Sequence, residues 1–186
     1  TGISFVHPDL MGNVVRCVDL SGNSRALPMD FNGHGTHVAG IIAAKNNKIG
    51  TIGVAPKAWL YGIKAFNSDG ESTTANVVEA LHWCINNRMH VINMSFGSSE
   101  PSELIHDAVK EAYRRGIIMV ASAGNDGPNG GVDYPAKYPE VIGVGSIGKL
   151  GRISKYSSRG EGLDVLAPGE KIYSTWFDGG YKELDG

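Results

Sequence analysis

Residues 91–122, VINMSFGSSEPSELIHDAVKEAYRRGIIMVAS, hold an apolar run, a glycine-containing turn, a helical pattern and a second apolar run. Val91 to Met94 and Ile117 to Ser122 are predicted strands. Between them Leu104, Ile105, Ala108, Val109 and Ala112 recur at three-to-four spacing, the stripe of a helix over Ser102 to Arg115. Ser102 offers a capping oxygen at its start, and Arg114, Arg115 and Gly116 mark its end. Strand, crossover helix and strand together are the repeating unit of a parallel sheet.

The alternation extends both ways. Upstream, Val14 to Leu20 reads as a strand closed by Ser21-Gly22-Asn23, and Trp59 to Ala65 as another. His34 to Lys45 is helical, with small residues Ala39, Gly40, Ala43 and Ala44. Thr74 to Asn87 is helical, with Val77, Val78, Leu81, Cys84 and Ile85 on one stripe. Downstream, Val141 to Val144 and Leu163 to Leu166 are short strands. Apolar strands separated by helices predict burial on both strand faces. The fold class is α/β in three layers, a mostly parallel sheet with helices on both faces. Such sheets bind ligands beyond the carboxyl ends of their strands, where Ser95-Phe96-Gly97 and Ala123-Gly124-Asn125 fall. No repeat, low-complexity segment or linker divides residues 1–186, so one domain is expected.

Composition narrows the function. A net charge of -2 argues against a nucleic-acid or membrane-surface partner, which would call for a basic face. The longest largely apolar stretch, Ile117 to Ala123, is far below the roughly 18 residues of a membrane span. The two cysteines, Cys17 in a strand and Cys84 on a helix stripe, are expected as free thiols. Glycine, at 26 of 186 residues, is about twice its usual share of roughly 7%, which points to turns and close backbone approaches. The chain starts at Thr1 without a signal-peptide pattern and stops at Gly186, so it reads as an internal piece of something longer.

Asn32-Gly33-His34-Gly35-Thr36-His37-Val38-Ala39-Gly40 is the densest chemical signal. Its residues admit three readings: zinc held by His-x-x-His, a phosphate cradle at Gly33-x-Gly35, or a catalytic imidazole. Zincin motifs space their histidines one residue wider, and Ala26 to Asp30 makes no strand to precede a phosphate loop. Spacing alone does not choose between His34 and His37. Gly143-Val144-Gly145-Ser146-Ile147-Gly148 matches the dinucleotide fingerprint, but no helical stripe follows it, so it is read as a decoy.

The segment around His34 resembles the histidine signature of the subtilisin-like serine proteases, and other blocks follow in the family's order. Gly2-Ile3 with His7-Pro8-Asp9-Leu10 resembles the segment after the family's catalytic Asp. Val91 to Gly97 resembles its substrate-binding strand, and Val120 to Gly127 its oxyanion segment. Tyr134 to Pro139, Tyr156-Ser157-Ser158 and Leu166-Ala167-Pro168-Gly169 match further blocks.

The resemblance implies a serine endopeptidase using a Ser-His-Asp triad on peptide or protein substrates. His34 is then the base, His37 a packed neighbour and Asn125 the oxyanion donor. The family's Asp would precede Thr1 and its Ser would follow Gly186. Residues 1–186 would thus be a partial catalytic domain, inactive alone and short of a mid-sheet strand and a helix. A catalytically dead, peptide-binding relative is the alternative. The substrate would add as a strand between Ser95-Phe96-Gly97 and Asp69-Gly70-Glu71. Glu71 would favour basic residues several positions before the cleaved bond, and Asp133 with Asp126 would favour Lys or Arg in the primary pocket. Lys45 to Thr51 resembles the family's calcium loop. It implies structural Ca²⁺ on the carbonyls of Lys45, Ile49 and Thr51, the Asn47 side chain and the Asp9 carboxylate. A weaker cation site is implied near Ala136, Tyr138, Val141 and Asp164. The family further implies a secreted monomer.

Overall fold

A computed structural model describes residues 1–22 and 28–186; Asn23, Ala26 and Leu27 of the expected turns lie outside the described residues. In chain order the elements are β1 (Val14–Asp19), α1 (His34–Ala43), β2 (Leu60–Lys64), α2 (Thr74–Asn86), β3 (Val91–Met94), α3 (Glu103–Arg114), β4 (Ile118–Ser122), β5 (Ile142–Ile147), β6 (Val165–Pro168), β7 (Ile172–Thr175) and β8 (Tyr181–Leu184). They fall into two compact units: Thr1–Ala80 with Tyr173–Glu183, and Leu81–Ile172 with Leu184–Gly186. Among the described residues no helix is long and apolar enough to cross a membrane.

In the first unit β1 and β2 pair in parallel, with Cys17 opposite Gly62. Glycine is required there, since a Cβ at position 62 would lie 2.7 Å from the Cys17 sulfur. Ile3, Leu10, Ala39, Ala43 and Leu60 form the core, backed by Val14, Cys17, Ile42 and Ala58. Leu10 alone, fully buried, contributes roughly 1.5–3 kcal/mol by leaving water. α1 stops at Ala43, two residues before the expected end, because Ala44 turns extended at ψ 139° while its N–H still bonds the Gly40 carbonyl. The small residues of α1 serve close packing as expected, since a Cβ on Gly40 would collide with the hydroxyls of Ser174 and Thr175.

Ser174 and Thr175 lie in a strand pair, β7–β8, that the sequence reading missed. Only residues 176–180 join these strands, too few for a parallel crossover, so they form a hairpin. Its hydroxyls fasten it to α1: Thr175 Oγ1 donates to the Thr36 carbonyl and Ser174 Oγ to that of His37, both at 2.7 Å.

In the second unit β3, β4, β5 and β6 lie side by side in that order, every pairing parallel. The Ser102 hydroxyl caps α3 by accepting from the Ile105 N–H. Ala108, Val109 and Ala112 are buried, but Leu104 of the expected stripe is 65% exposed, in the first turn of the helix. The stripe of α2 fares better: Val77, Leu81, Cys84 and Ile85 are buried. Both cysteines are free, with Cys84 buried and Cys17 only partly so. Burial pushes the Cys84 thiol up to about 11, which leaves it inert at neutral pH.

The expectation of strands buried on both faces does not hold in this sheet. Ile92, Met94, Met119 and Ala121 are buried, whereas Val91, Ile118, Ile142 and Val165 stand exposed. Register puts the exposed set on one face, because Val91 pairs with Ile118, Val120 with Ile142, and Val144 with Val165. Val120 and Val144 on the same face are half-buried. β5 runs on to Ile147, so the apparent dinucleotide fingerprint is mostly strand. Its glycines make room for neighbours: a Cβ on Gly143 would strike the Gly162 carbonyl, and one on Gly145 would approach Leu163 and Leu166 to 2.9 Å.

Candidate active site

The first turn of α1 is organised by Asp30. Gly33, at the N-cap with φ 107°, has no side chain to offer the free N–H groups, so a carboxylate does so from three residues upstream. Asp30 is 1% exposed. Its Oδ1 accepts from the N–H groups of Asn32 and Gly33 at 3.0 and 2.9 Å. Its Oδ2 accepts from the N–H and hydroxyl of Thr36 at 2.9 and 2.7 Å. Negative charge at a helix N-terminus is favoured by the helix dipole as well.

This turn separates the two histidines that spacing left equivalent. His37 is buried; its Nε2–H donates to the Lys182 carbonyl at 3.0 Å and its ring stands edge-on to Trp176. His34, the first residue of α1, is exposed. Its flanking glycines admit close neighbours: a Cβ on Gly33 would collide with the Trp176 ring, and one on Gly35 with the Gly2 carbonyl. Crowding by this surrounding protein strips enough water from the ring to lower the His34 pKa below the usual 6.5, against the opposing pull of Asp30. A neutral, accessible imidazole at neutral pH is the form that takes up a proton. The zinc reading finds no support in geometry: no three His, Cys, Asp or Glu side chains gather among the described residues.

Asn32 ties His34 to the turn that carries Asp69, Gly70 and Glu71. Its Oδ1 accepts from the His34 N–H at 3.2 Å and its Nδ2 donates to the Ser68 carbonyl at 3.0 Å. The turn is closed by Asn67, whose Oδ1 accepts from the Asp69 and Glu71 N–H groups, with Gly70 at φ 83°. The sequence reading missed Asn32 and Asp30 in these roles. An Asp six residues before a Thr at a helix start was the available signal.

In the second unit Asn125 follows β4 with its side chain exposed. The backbone around it is pinned: Ser158 N–H donates to the Gly124 carbonyl at 3.0 Å, and Asp126 N–H to the Ser158 hydroxyl at 3.2 Å. Ser95, Phe96 and Gly97 leave the end of β3, and a bridge between Ser98 and Tyr134 brings residue 133 against them. Asp133 sits where side chains of Gly97 and Gly124 would be; its Oδ2 is 2.7 and 2.5 Å from the Cβ positions those glycines lack. Partial burial, and then the Asp126 charge, raise the Asp133 pKa. Ser95–Gly97, Asn125, Asp126 and Asp133 are thus brought together at the carboxyl ends of β3 and β4.

The candidate cation loop wraps Asp9 in the first unit. Asp9 is fully buried, and its carbonyl accepts from the Lys45 N–H at 2.9 Å. Its Oδ2 accepts from Thr51 N–H at 3.1 Å and from Tyr181 Oη–H at 2.9 Å, while Oδ1 has no partner among the described residues. Asn47 Oδ1 accepts from Ile49 N–H at 3.2 Å, and Lys48 adopts φ 68° to close the turn. A buried anionic oxygen without a partner, on a carboxylate bonded to an oxygen-bearing loop, fits a hard cation. Near Ala136, Tyr138 and Val141, Asp164 Oδ2 accepts from Gly143 N–H at 2.8 Å and the Tyr138 carbonyl accepts from Val141 N–H at 3.0 Å.

Comparisons with known proteins give the family. The model of the Subtilase family matches residues 1–186. Subtilisin Savinase of Lederbergia lenta is 41% identical over 191 residues, covering 100% of this chain and 67% of the relative. Minor extracellular protease Epr of Bacillus subtilis (strain 168) is 42% identical over 149 residues, 80% of this chain and 23% of Epr. Among solved structures Sphericase superposes with a TM-score of 0.91 at 36% identity, over 100% of this chain and 69% of that one. A parallel α/β sheet, an accessible histidine opening a glycine-flanked helix, and a family match along the whole chain make it a member of the subtilase family of subtilisin-like serine endopeptidases.

Proposed function

We propose that His34 is the general base of this peptidase and Asn125 its oxyanion donor. The contrast between the two imidazoles carries the reading: His37 is consumed by packing, whereas His34 is exposed and biased towards its neutral form. His34 takes the proton from a serine hydroxyl as that oxygen attacks the peptide carbonyl, then returns it to the leaving amine. The exposed Asn125 amide donates to the negative oxygen that develops, a neutral and directional contact at a strand end. The family's triad also uses a serine and a carboxylate, which we assign to none of the described residues.

By the resemblance, Ser95-Phe96-Gly97 and Asp69-Gly70-Glu71 are each substrate-binding segments that offer main-chain groups to an extended peptide. Asp133, flanked by Asp126, selects Lys or Arg at the residue before the cleaved bond. Asp9, the Asn47 side chain and the carbonyls of Lys45, Ile49 and Thr51 would hold a calcium ion, whose charge would tie the loop to the core. The name of Epr supports action outside the cell.

Labelling of the full chain by a serine-directed fluorophosphonate tests the assignment. His34→Ala abolishes labelling and His37→Gln retains part of it; the reverse pattern overturns the choice of base. Equal cleavage after Lys, Leu and Phe overturns the Asp133 reading.

A further inference from the structure

The hairpin β7–β8 meets the cation loop at one residue. Tyr181 lies against Gly50, where a Cβ would collide with the phenol ring, so the ring is seated on the loop itself. Its hydroxyl donates to Asp9 Oδ2. The ring is held in place on two sides: stacked on Tyr173 at 5.4 Å and 17°, and edge-on to His7 at 5.3 Å and 85°. His7 in turn brackets Asp9. Its Nδ1 accepts from the Asp9 N–H at 3.1 Å, so its proton sits on Nε2, which donates to the Gly180 carbonyl at 2.8 Å. Neighbouring hairpin residues thus reach both the main chain and the carboxylate of the Asp9 segment.

We propose that Tyr181 is the positioning residue that aims the Asp9 carboxylate at a divalent, oxygen-preferring cation. This rests on the cation-loop reading above. Two donors on Oδ2, the Thr51 N–H and the Tyr181 hydroxyl, fix the carboxylate's rotation and leave the unpartnered Oδ1 as the oxygen presented for coordination. A carboxylate left to rotate would have to be ordered by the ion itself, at a cost in affinity. Outer partners of this kind are commonly worth about 10–100-fold in metal affinity. The hairpin is the part of the fold that also bonds α1 through Ser174, Thr175 and Lys182. A cation held by Asp9 would therefore be linked, through the hairpin, to the helix that carries His34.

The test is calorimetric titration of the chelator-stripped full chain with Ca²⁺. Tyr181→Phe keeps the ring and its stacking and removes only the donor; Tyr173→Phe removes a neighbouring hydroxyl that Asp9 does not use. The expected result is Ca²⁺ binding about 10–100-fold weaker in Tyr181→Phe, and within twofold of the parent in Tyr173→Phe. The calcium-dependent rise in Tm, read alongside, cancels any cost common to the bound and stripped states, and it shrinks only in Tyr181→Phe. Equal affinity in Tyr181→Phe and parent, or equal weakening in both variants, overturns the proposal and leaves the cation loop standing. A parent chain that binds no Ca²⁺ overturns the cation loop itself.

Discussion

Replacing Asp30 by Asn removes one charge and one acceptor while keeping the side chain's shape. Asp30 receives four hydrogen bonds in a site 1% exposed to solvent. An amide has a single acceptor oxygen, so either the Asn32 and Gly33 pair or the Thr36 N–H faces an NH₂ group instead. Thr36 cannot simply turn away, because its hydroxyl also accepts from the Ser4 N–H at 2.9 Å. One stranded buried N–H costs about 1–3 kcal/mol, and losing negative charge at the helix start adds about 0.3–1 kcal/mol. A total of about 2–3 kcal/mol, at roughly 2–4 °C per kcal/mol for a chain of this size, lowers Tm by about 5–10 °C. Scanning calorimetry of the full chain measures it. Because His34 is the first residue of α1, kcat falls further than stability alone explains while KM changes little. A variant melting within 1 °C of the parent would refute the argument that this carboxylate organises the turn.

Asn125→Ala is expected to cut kcat by about 10²–10³ with KM nearly unchanged, the loss found when one oxyanion donor is removed from a subtilisin; steady-state kinetics showing less than a tenfold loss would remove Asn125 from that role. Asp133 is neutralised at a higher pH than an ordinary aspartate, since its pKa is raised by burial and by Asp126. The ratio of cleavage after Lys to cleavage after Leu should therefore decline as acidity increases, at pH values where an ordinary carboxylate is still charged, and Asp133→Gly should flatten the curve. A ratio independent of pH in the parent contradicts this. Gly40→Ala raises helix propensity by about 1 kcal/mol yet drives a methyl into the Ser174 and Thr175 hydroxyls, so urea denaturation should show a net loss of about 1–2 kcal/mol.

The elements legible in sequence were those whose periodicity is their own. α2, α3, β3 and β4 carry long stripes or β-branched runs, and they were placed within a residue or two. β5 was cut short at Val144 because Gly143 and Gly145 lower strand propensity; their reason is tertiary, namely the chain at 162–166 packed against them. The hairpin was missed because Tyr-Lys-Glu-Leu at 181–184 is largely exposed and offers no apolar run. The site was legible in parts. The glycine-flanked histidines announced a functional helix start, but their spacing does not separate His34 from His37, whereas their burial does. Tyr181 and His7 lie far apart in the chain and meet through folding alone, so no local pattern could have paired them.

The exposed row Val91, Ile118, Ile142 and Val165 has a practical side. Contiguous oily panels of this kind adhere to one another and to chaperones. Residues 1–186 produced by themselves should therefore collect in inclusion bodies, bind fluorescent hydrophobic dyes, and elute from gel filtration as polydisperse material. Changing two of the four residues to threonine would preserve strand preference while restoring colloidal behaviour, which makes that pair the first alteration to try in any bench work on the isolated segment.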